Sequence, residues 1–247
     1  AAETYFVTEL DTDQKIARVE RRNLDYYTQS VQTADIRIDE ADAEAAREVL
    51  APAATELGFG DVTVTTSIPM FKKVRFGTRE SLGYEDLDLP AQTLETVAMW
   101  LAPGDELVAE LRGKQRVGEG LIGIGNVLVE VAPLFVMADP QDLGAVVDSG
   151  CLGRDALFLH DRYPGGMGYA RRCLARIREI LETALKVIRQ CPCPDGCPSC
   201  VGAALPAFAL TDLDSAVRER IPDKDAARTL LERMLAASGR EQRQEHE

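Results

Sequence analysis

The stretch that decides how the C-terminal part of this chain folds is Cys191-Pro192-Cys193-Pro194-Asp195-Gly196-Cys197-Pro198-Ser199-Cys200. Its spacing, Cys-x-Cys-x3-Cys-x2-Cys, lets four thiolates reach one tetrahedral ion through bonds of about 2.3 Å. The prolines restrict the loop, and Gly196 permits a tight turn between ligands. Four protein ligands leave no open coordination position. The spacing therefore predicts a structural zinc ion, Zn2+, held by Cys191, Cys193, Cys197 and Cys200.

Three other interpretations of these cysteines stay open at this point. Four cysteines also hold iron–sulfur clusters, although the usual ferredoxin spacings differ. Two disulfides would require very short loops, and buried free thiols rarely reach such a density. Of the six cysteines in the chain, Cys151 and Cys173 lie outside the cluster. Cys173 falls on an apolar stripe, so it is predicted to be a core residue.

The composition is that of an acidic globular chain. Its 247 residues carry a net charge of −13, which repels phosphate backbones and disfavours an autonomous nucleic-acid binder. The most apolar window, residues 121–138, contains Glu130 and Pro133, so no membrane span is predicted. No signal peptide is evident, so a reducing cytoplasm is the expected location. Because the chain starts without Met, we expect a fragment of a longer polypeptide.

The first third of the chain has the alternation typical of β-strands. Asp11-Thr12-Asp13 separates two such runs and predicts a hairpin. A helix is predicted over residues 40–50, ending before the breaker Pro52. The predicted strands cover residues 4–10, 15–21, 36–38, 62–66 and 71–76. Residues 1–90 are therefore expected to form a β-rich domain.

Helical periodicity dominates from Pro90 onward. Predicted helices cover residues 94–101, 120–136, 167–190 and 223–237, with a short strand at residues 156–160. The third of these helices carries an apolar stripe and leads directly into the cysteine cluster. The predicted fold class is α+β: a small β-rich N-terminal part packed on a mostly helical part, residues 91–247, which ends in a zinc knuckle at residues 191–200.

The cysteine cluster belongs to a longer characteristic stretch. Phe158-Leu159-His160-Asp161-Arg162-Tyr163-Pro164-Gly165-Gly166-Met167-Gly168 leads through the long helix into the cluster and Val201-Gly202. This stretch resembles the zinc-binding C-terminal (MZB-type) domain of MrfA-like superfamily 2 DEAD/DEAH-box DNA helicases. Similarity extends upstream through Asp25-Tyr26-Tyr27-Thr28, Gly58-Phe59-Gly60, Phe71-Lys72-Lys73-Val74 and Leu87-Asp88-Leu89-Pro90, and so covers most of the chain.

The resemblance implies a place within a larger protein. In that family two ATP-driven motor domains precede this region, and the whole protein moves 3′ to 5′ on DNA during repair. This sequence contains no Gly-x4-Gly-Lys-Ser/Thr phosphate loop, so the chain alone is not expected to hydrolyse ATP. The expected partners are helicase motor domains in cis, or a helicase subunit in trans, and DNA through the parent protein. The acidic residues 39–56 depart from the family's shorter connection.

Basic residues form two local strips on this acidic chain. Strips of this size are commonly solvated faces, but phosphate contact is physically available to them. Aromatic residues nearby could stack bases, although core packing is their commoner use. The first strip, which is the candidate nucleic-acid site, comprises Lys72, Lys73, Arg75 and Arg79. The second comprises Arg112, Lys114 and Arg116, and the aromatic candidates are Tyr26, Tyr27 and Phe71.

Two further patterns favour structural interpretations. Gly118-x-Gly120-x-x-Gly123 has dinucleotide-fingerprint spacing, but the charged residues 112–116 precede it where a buried strand is required. We interpret these glycines as helix-packing positions. His160 beside Asp161 resembles a catalytic pair, but no nucleophile lies nearby in the sequence, and the other histidine, His246, is in the polar tail. No catalytic residue is predicted.

Two hypotheses of function follow. The first is a non-catalytic zinc-binding accessory domain of a DNA helicase, which supports DNA engagement or docking of the motor in DNA repair. The alternative is a stand-alone zinc-domain adaptor subunit of a phage-defence complex that works with a separate helicase. An iron–sulfur redox protein is a more remote third hypothesis.

Overall fold

The computed structural model of this chain describes residues 3–47, 49, 52, 54–113, 116–202 and 222–236. The chain divides into two compact units: residues 1–34 with 65–92, and residues 35–64 with 93–247. The units are interleaved along the chain, whereas the domain division predicted at residue 90 stays a prediction. With strands and helices both present, the chain is an α+β protein.

The first unit is built from β-hairpins. Strands β1 (Tyr5–Asp11) and β2 (Ile16–Arg21) pair antiparallel. The side chain of Asp11 closes their turn by accepting hydrogen bonds from the backbone N–H groups of Asp13 (3.0 Å) and Gln14 (2.8 Å). The hairpin predicted at this position is therefore confirmed. A second antiparallel pair joins the C-terminal part of β4 (Thr55–Arg75) to β5 (Ser81–Asp86).

A sheet has the strand order β3-β4-β6-β8-β7, and its strands β3 and β4 each have residues in both units. Its other strands are β3 (Tyr26–Ala41), β6 (Gln92–Pro103), β7 (Leu143–Asp148) and β8 (Ala156–Asp161). β8 pairs antiparallel with both β6 and β7, so that Phe158 lies opposite Trp100 on one side and Val146 on the other. The rings of Trp100 and Phe158 are 5.7 Å apart. A Cβ on Gly58 would lie 2.0 Å from the indole of Trp100, so a residue with a side chain does not fit at this position.

The helix predicted over residues 94–101 is wrong, because this segment forms most of β6. Leu94, Val97 and Leu101 fit a helical period, but the run from Ala98 to Ala102 is at most 5% exposed throughout. A strand hydrogen-bonded on both edges and covered on both faces has a continuous apolar run. Its periodicity cannot be told from that of a buried helix.

The helices gather in the second unit. They are α1 (Ala43–Arg47), α2 (Asp105–Leu111), α3 (Val117–Val131), α4 (Pro133–Val136), α5 (Tyr169–Ala175), α6 (Ile177–Gln190) and α7 (Lys224–Ala236). The long helix predicted over residues 167–190 is interrupted at Arg176, where α5 ends and α6 begins. Its predicted apolar stripe is buried, as the exposures of Leu174, Ile177, Leu181, Ala184 and Ile188 confirm. None of the described helices is both long and apolar enough to cross a bilayer.

Glycines let α7 approach α3 closely. A Cβ on Gly120 would lie 2.9 Å from the backbone carbon of Ala226, and a Cβ on Gly123 would lie 3.3 Å from Ala227 and Val201. α2, and not a buried strand, precedes these glycines. The helix-packing interpretation is therefore confirmed for Gly120 and Gly123, whereas a Cβ on Gly118 would meet the side chain of Asp155.

Candidate metal centre

The four cysteines predicted as ligands come together in one cluster. Their sulfur atoms all lie within 4.8 Å of one another. Neighbouring sulfurs are 3.4 to 3.7 Å apart, from Cys193–Cys200 at the short end to Cys197–Cys200 at the long end. In a tetrahedral zinc site with bonds of about 2.3 Å, sulfurs are separated by about 3.8 Å. The observed spacing thus leaves room for a single ion and is far longer than a disulfide bond of about 2.05 Å.

The loop turns tightly between the second and third cysteines. Gly196 has a φ of 117°, a left-handed conformation that other residues rarely adopt, and a Cβ there would lie 2.8 Å from Val201 Cγ2. Cys197 then starts a helical turn in which its carbonyl accepts hydrogen bonds from the N–H groups of Cys200 (3.0 Å) and Val201 (3.1 Å). This turn directs the last two sulfurs to the same point.

Two helices hold the loop in place. α6 ends at Gln190, so Cys191 follows its last turn directly. On the other side, Asn126 of α3 donates its side-chain amide to the carbonyl of Val201 at 2.8 Å. Cys200 and Val201 are each 1% exposed, so the end of the loop belongs to the hydrophobic core. These contacts attach the knuckle to α3 and α6.

The metal-free thiols differ in acidity. Burial opposes ionisation of Cys193, yet hydrogen bonds from Cys200, Cys191 and the Lys224 ammonium lower its pKa to about 6. Burial raises the pKa of Cys200 to about 12. Outside the cluster, burial raises the pKa of the Cys173 thiol to about 12, as expected of an inert core cysteine. Cys173 is fully buried, which confirms the prediction that it is a core residue.

The donor set fits zinc. Four thiolates satisfy a tetrahedral ion completely and leave no position for a water or a substrate. Zinc bound by Cys191, Cys193, Cys197 and Cys200 would therefore crosslink the loop and supply no acid–base or hydrolytic chemistry.

His160 and Asp161 have structural roles in place of the catalytic ones their pairing resembles. The Asp161 side chain is fully buried and accepts three backbone hydrogen bonds at the start of α5, from Met167 (2.5 Å), Tyr169 (3.1 Å) and Ala170 (2.7 Å). The Nδ1 of His160 lies 3.0 Å from the Asp161 carbonyl oxygen, so Nδ1 carries the proton. Burial lowers the pKa of His160. This anchoring of a helix by a strand-end carboxylate was missed at the level of sequence.

The predicted basic strip lies on the β4–β5 hairpin, and the strand divides it. Lys73 and Arg75 share one face of β4 with Phe71, whereas Lys72 lies on the opposite face because side chains alternate along a strand. Lys73 forms an ion pair with Glu85 and lies over the ring of Phe71, 5.9 Å from its centroid. The Glu85 hydrogen bond raises the pKa of Lys73.

The other members of the basic and aromatic sets are dispersed, except for Tyr26, whose ring centroid lies 5.5 Å from Lys73 Nζ. Arg79 is exposed in the turn after β4, with a φ of 58°. Tyr27 packs against Phe76 with ring centroids 5.3 Å apart, and both rings remain partly exposed. In the second strip, Arg116 pairs with Glu119 at 2.7 Å, while Lys114 lies outside the described residues. His246 also lies outside them.

The chain is similar to a zinc-binding domain family and to parts of ATP-dependent helicases. Residues 124–201 match the family described as the MrfA Zn-binding domain. The ATP-dependent helicase YprA of Bacillus subtilis is 35% identical over 205 residues, 81% of this chain and 26% of that protein. The ATP-dependent helicase HRQ1 of Saccharomyces cerevisiae is 24% identical over 217 residues, 81% of this chain and 19% of that protein.

A solved structure gives the same picture. The crystal structure of the DUF1998 helicase MrfA bound to DNA aligns with 93% of this chain and 28% of that chain, with a TM-score of 0.58 and 32% sequence identity. This chain therefore spans roughly a quarter of the length of the helicases that it matches. These relatives favour the accessory-domain hypothesis over the stand-alone adaptor.

Proposed function

We propose that the chain is a non-catalytic accessory region of an ATP-dependent DNA helicase, and the premise is that residues 124–201 match the MrfA Zn-binding domain and that the chain is similar to the DUF1998 helicase MrfA. The observation that carries the proposal is the match of 81% of the chain to about a quarter of an ATP-dependent helicase. On this proposal the motor domains lie in cis. The parent protein binds and hydrolyses ATP, moves 3′ to 5′ on DNA and acts in cytoplasmic DNA repair.

Within this proposal the zinc ion has a mechanical role. The cysteine loop joins the end of α6 to α3 through the Asn126–Val201 hydrogen bond. A closed four-thiolate centre at that junction would hold both helices against each other while the motor pulls on DNA. Removal of the ion would loosen the accessory region without removing any catalytic group.

The β4–β5 hairpin is the proposed DNA contact, through Lys72, Lys73, Arg75 and Arg79. Arg75 and Arg79 are exposed, and the nearest carboxylates of Asp25 and Glu80 lie 3.9 Å from Arg75. Lys73 has Glu85 as a direct partner, so part of its charge is already offset. We therefore expect the two arginines to contribute more phosphate affinity than Lys73 does.

Fluorescence anisotropy with single-stranded DNA over a salt series tests this proposal. For Arg75→Gln with Arg79→Gln, the slope of log K against log salt should fall by about 0.7 for each phosphate of the single strand that the variant no longer neutralises. The matched control is Arg18→Gln, which removes an exposed arginine paired with Glu9 at 2.8 Å. Equal effects of the control and the double variant would refute the assignment.

An apolar surface within the zinc-binding domain is the proposed docking site for the motor domains. This surface, the α4 patch, comprises Leu134, Met137 and Met167, which are 80%, 93% and 57% exposed. Arg172 joins its two halves by donating to the carbonyls of Val136 (3.0 Å) and Met167 (3.5 Å). Exposed methionines of this kind are frequent in protein-binding surfaces.

Two observations support this occupant of the α4 patch. Met137 adopts a φ of 56°, a left-handed conformation that is unfavourable for a long side chain, and its side chain is almost fully exposed. Roughly three quarters of the relatives' length lies outside the matched region, which supplies a covering surface in cis.

The test compares unwinding by the full-length helicase carrying Leu134→Ser and Met137→Ser with that of the unmodified protein. Unwinding should fall severalfold while zinc content stays unchanged. A control variant, Leu10→Ser, removes an exposed leucine of β1 and should unwind normally. Normal unwinding by the patch variant would refute docking there. Normal unwinding after deletion of the whole accessory region would refute the proposed function itself.

A further inference from the structure

The lysine that opens α7 points at the cysteine cluster from a distant part of the sequence. Lys224 Nζ donates to the carbonyl oxygens of Cys191 (2.9 Å) and Cys193 (2.5 Å) and lies 3.4 Å from Cys193 Sγ. Its ammonium therefore bridges the backbone of the first two ligands and touches one sulfur. The metal spacing in the sequence contains no signal for this contact, because Lys224 lies 31 residues from Cys193.

The other cations around this spot have carboxylate partners. A cleft of about 240 Å³ lies between the cysteine loop and α7 and is lined in part by Arg189 and Arg228. Arg189 pairs with Glu232 at 3.0 Å, and Arg228 pairs with Asp225. Among the described residues that line the cleft, Lys224 is the cation directed at sulfur.

The contact between Lys224 and the cysteine loop places a positive charge beside a negatively charged metal centre. A zinc ion with four thiolates carries a net charge of about −2, which is costly to bury without compensation. The first turn of a helix presents free N–H groups equivalent to about half a positive charge. Lys224 is the first residue of α7, so the ammonium and the helix terminus bring positive charge to the same place. Asp223 fixes this end of the helix by accepting the N–H of Ala226 at 2.9 Å.

We infer that Lys224 is a positioning residue for the zinc centre: it offsets the charge of the four thiolates and orients the loop that carries Cys191 and Cys193. Retention of zinc and packing of α7 are then coupled in both directions. α7 supports the centre through Lys224, and the centre holds α7 against the core, where Leu230, Leu231 and Met234 are fully buried.

The experiment uses the zinc-loaded chain with Lys224→Met, Lys224→Arg and the control Lys186→Met. Lys186 is an exposed lysine of α6, so its substitution removes the same charge from the same region without touching the cysteines. Zinc release to a chromophoric chelator is followed by absorbance. Hydrogen exchange of α7 is measured before and after removal of zinc.

Removing a group that supports metal ligands typically weakens metal affinity about 10- to 100-fold, and we expect Lys224→Met to release zinc faster by about this factor. Lys224→Arg should recover part of the difference, and Lys186→Met should match the unmodified chain. Relative to the unmodified chain, Lys224→Met should lower the hydrogen-exchange protection of α7. This decrease should be larger when zinc is bound than after zinc has been chelated. Two results would overturn the inference: unchanged zinc release, or an equal decrease of α7 protection with and without zinc.

Discussion

The Asp161 side chain should contribute several kcal/mol to the free energy of unfolding. The structure indicates how this contribution is divided among the three hydrogen bonds that the carboxylate accepts. Oδ2 accepts the N–H groups of Met167 and Tyr169, and Oδ1 accepts that of Ala170. All three bonds link the end of β8 to the start of α5. Substituting Asp161 changes this link and leaves the backbone carbonyl of residue 161, which accepts the Thr96 hydroxyl at 2.9 Å, in place.

The magnitude follows from counting donors left without a partner. Asp161→Asn can keep its amide oxygen on Met167 and Tyr169, which leaves the buried N–H of Ala170 facing an NH2 group. One orphaned buried donor costs about 1 to 3 kcal/mol. Asp161→Ala orphans all three donors, although the exposed Met167 can recover a water. Two donors, Tyr169 and Ala170, then stay without a partner, so we expect a decrease of about 2 to 6 kcal/mol for Asp161→Ala, roughly twice that of Asp161→Asn.

Urea unfolding of the zinc-loaded chain measures both decreases. Trp100, the single tryptophan, is 5% exposed in β6 next to β8, so its fluorescence reports on this part of the sheet. Asp88→Asn, a change at an exposed carboxylate, provides the control. If Asp161→Asn were as harmful as Asp161→Ala, or if both fell within about 0.5 kcal/mol of the control, hydrogen-bond counting would be refuted as the explanation.

Three further outcomes are expected. Gly120→Ala should lower the free energy of unfolding by about 1 to 3 kcal/mol, because its Cβ overlaps α7, whereas Gly118→Ala meets only the Asp155 side chain at 3.2 Å and should cost less in the same urea assay. Elemental analysis should find one zinc per chain, absent from Cys191→Ser and retained in Cys173→Ser; retention in the former would contradict the assigned ligand. Since burial lowers the pKa of His160 below 6.5, the unfolded chain takes up that proton first, so stability should fall as the pH drops below about 6.5. His160→Gln should remove this part of the pH dependence, and an unaltered profile would show that His160 does not cause it.

The metal centre could be predicted from the sequence because its ligands lie within one short loop. The spacing of the cysteines, the prolines and Gly196 together determine the geometry of the loop. Helix α6 could be predicted for the same reason, because its apolar residues recur at short intervals in the sequence. Lys224 could not be predicted in the same way. It reaches the cluster only because α7 packs on α3 and α6, and that packing depends on contacts between residues far apart in sequence.

The remaining differences have physical causes of the same kind. β6 was predicted as a helix because burial on both faces hides the two-residue period of a strand. The basic residues were predicted as one strip, but alternation along β4 places Lys72 and Lys73 on opposite faces. Asp161 stands at a strand end before Pro164-Gly165-Gly166 and a helix, and this arrangement is a signal that could have identified it as a helix anchor.

The packing of α7 also sets the order in which this polypeptide can mature during synthesis. α3 leaves the ribosome about one hundred residues before α7, the helix that covers Gly120 and Gly123 of α3. Until α7 has been synthesised, the apolar face of α3 around Gly120 and Gly123 is not covered by α7, and Lys224 cannot contact the cysteine loop. The nascent chain therefore exposes this hydrophobic surface until α7 has been synthesised, and a transiently exposed surface of this kind favours aggregation.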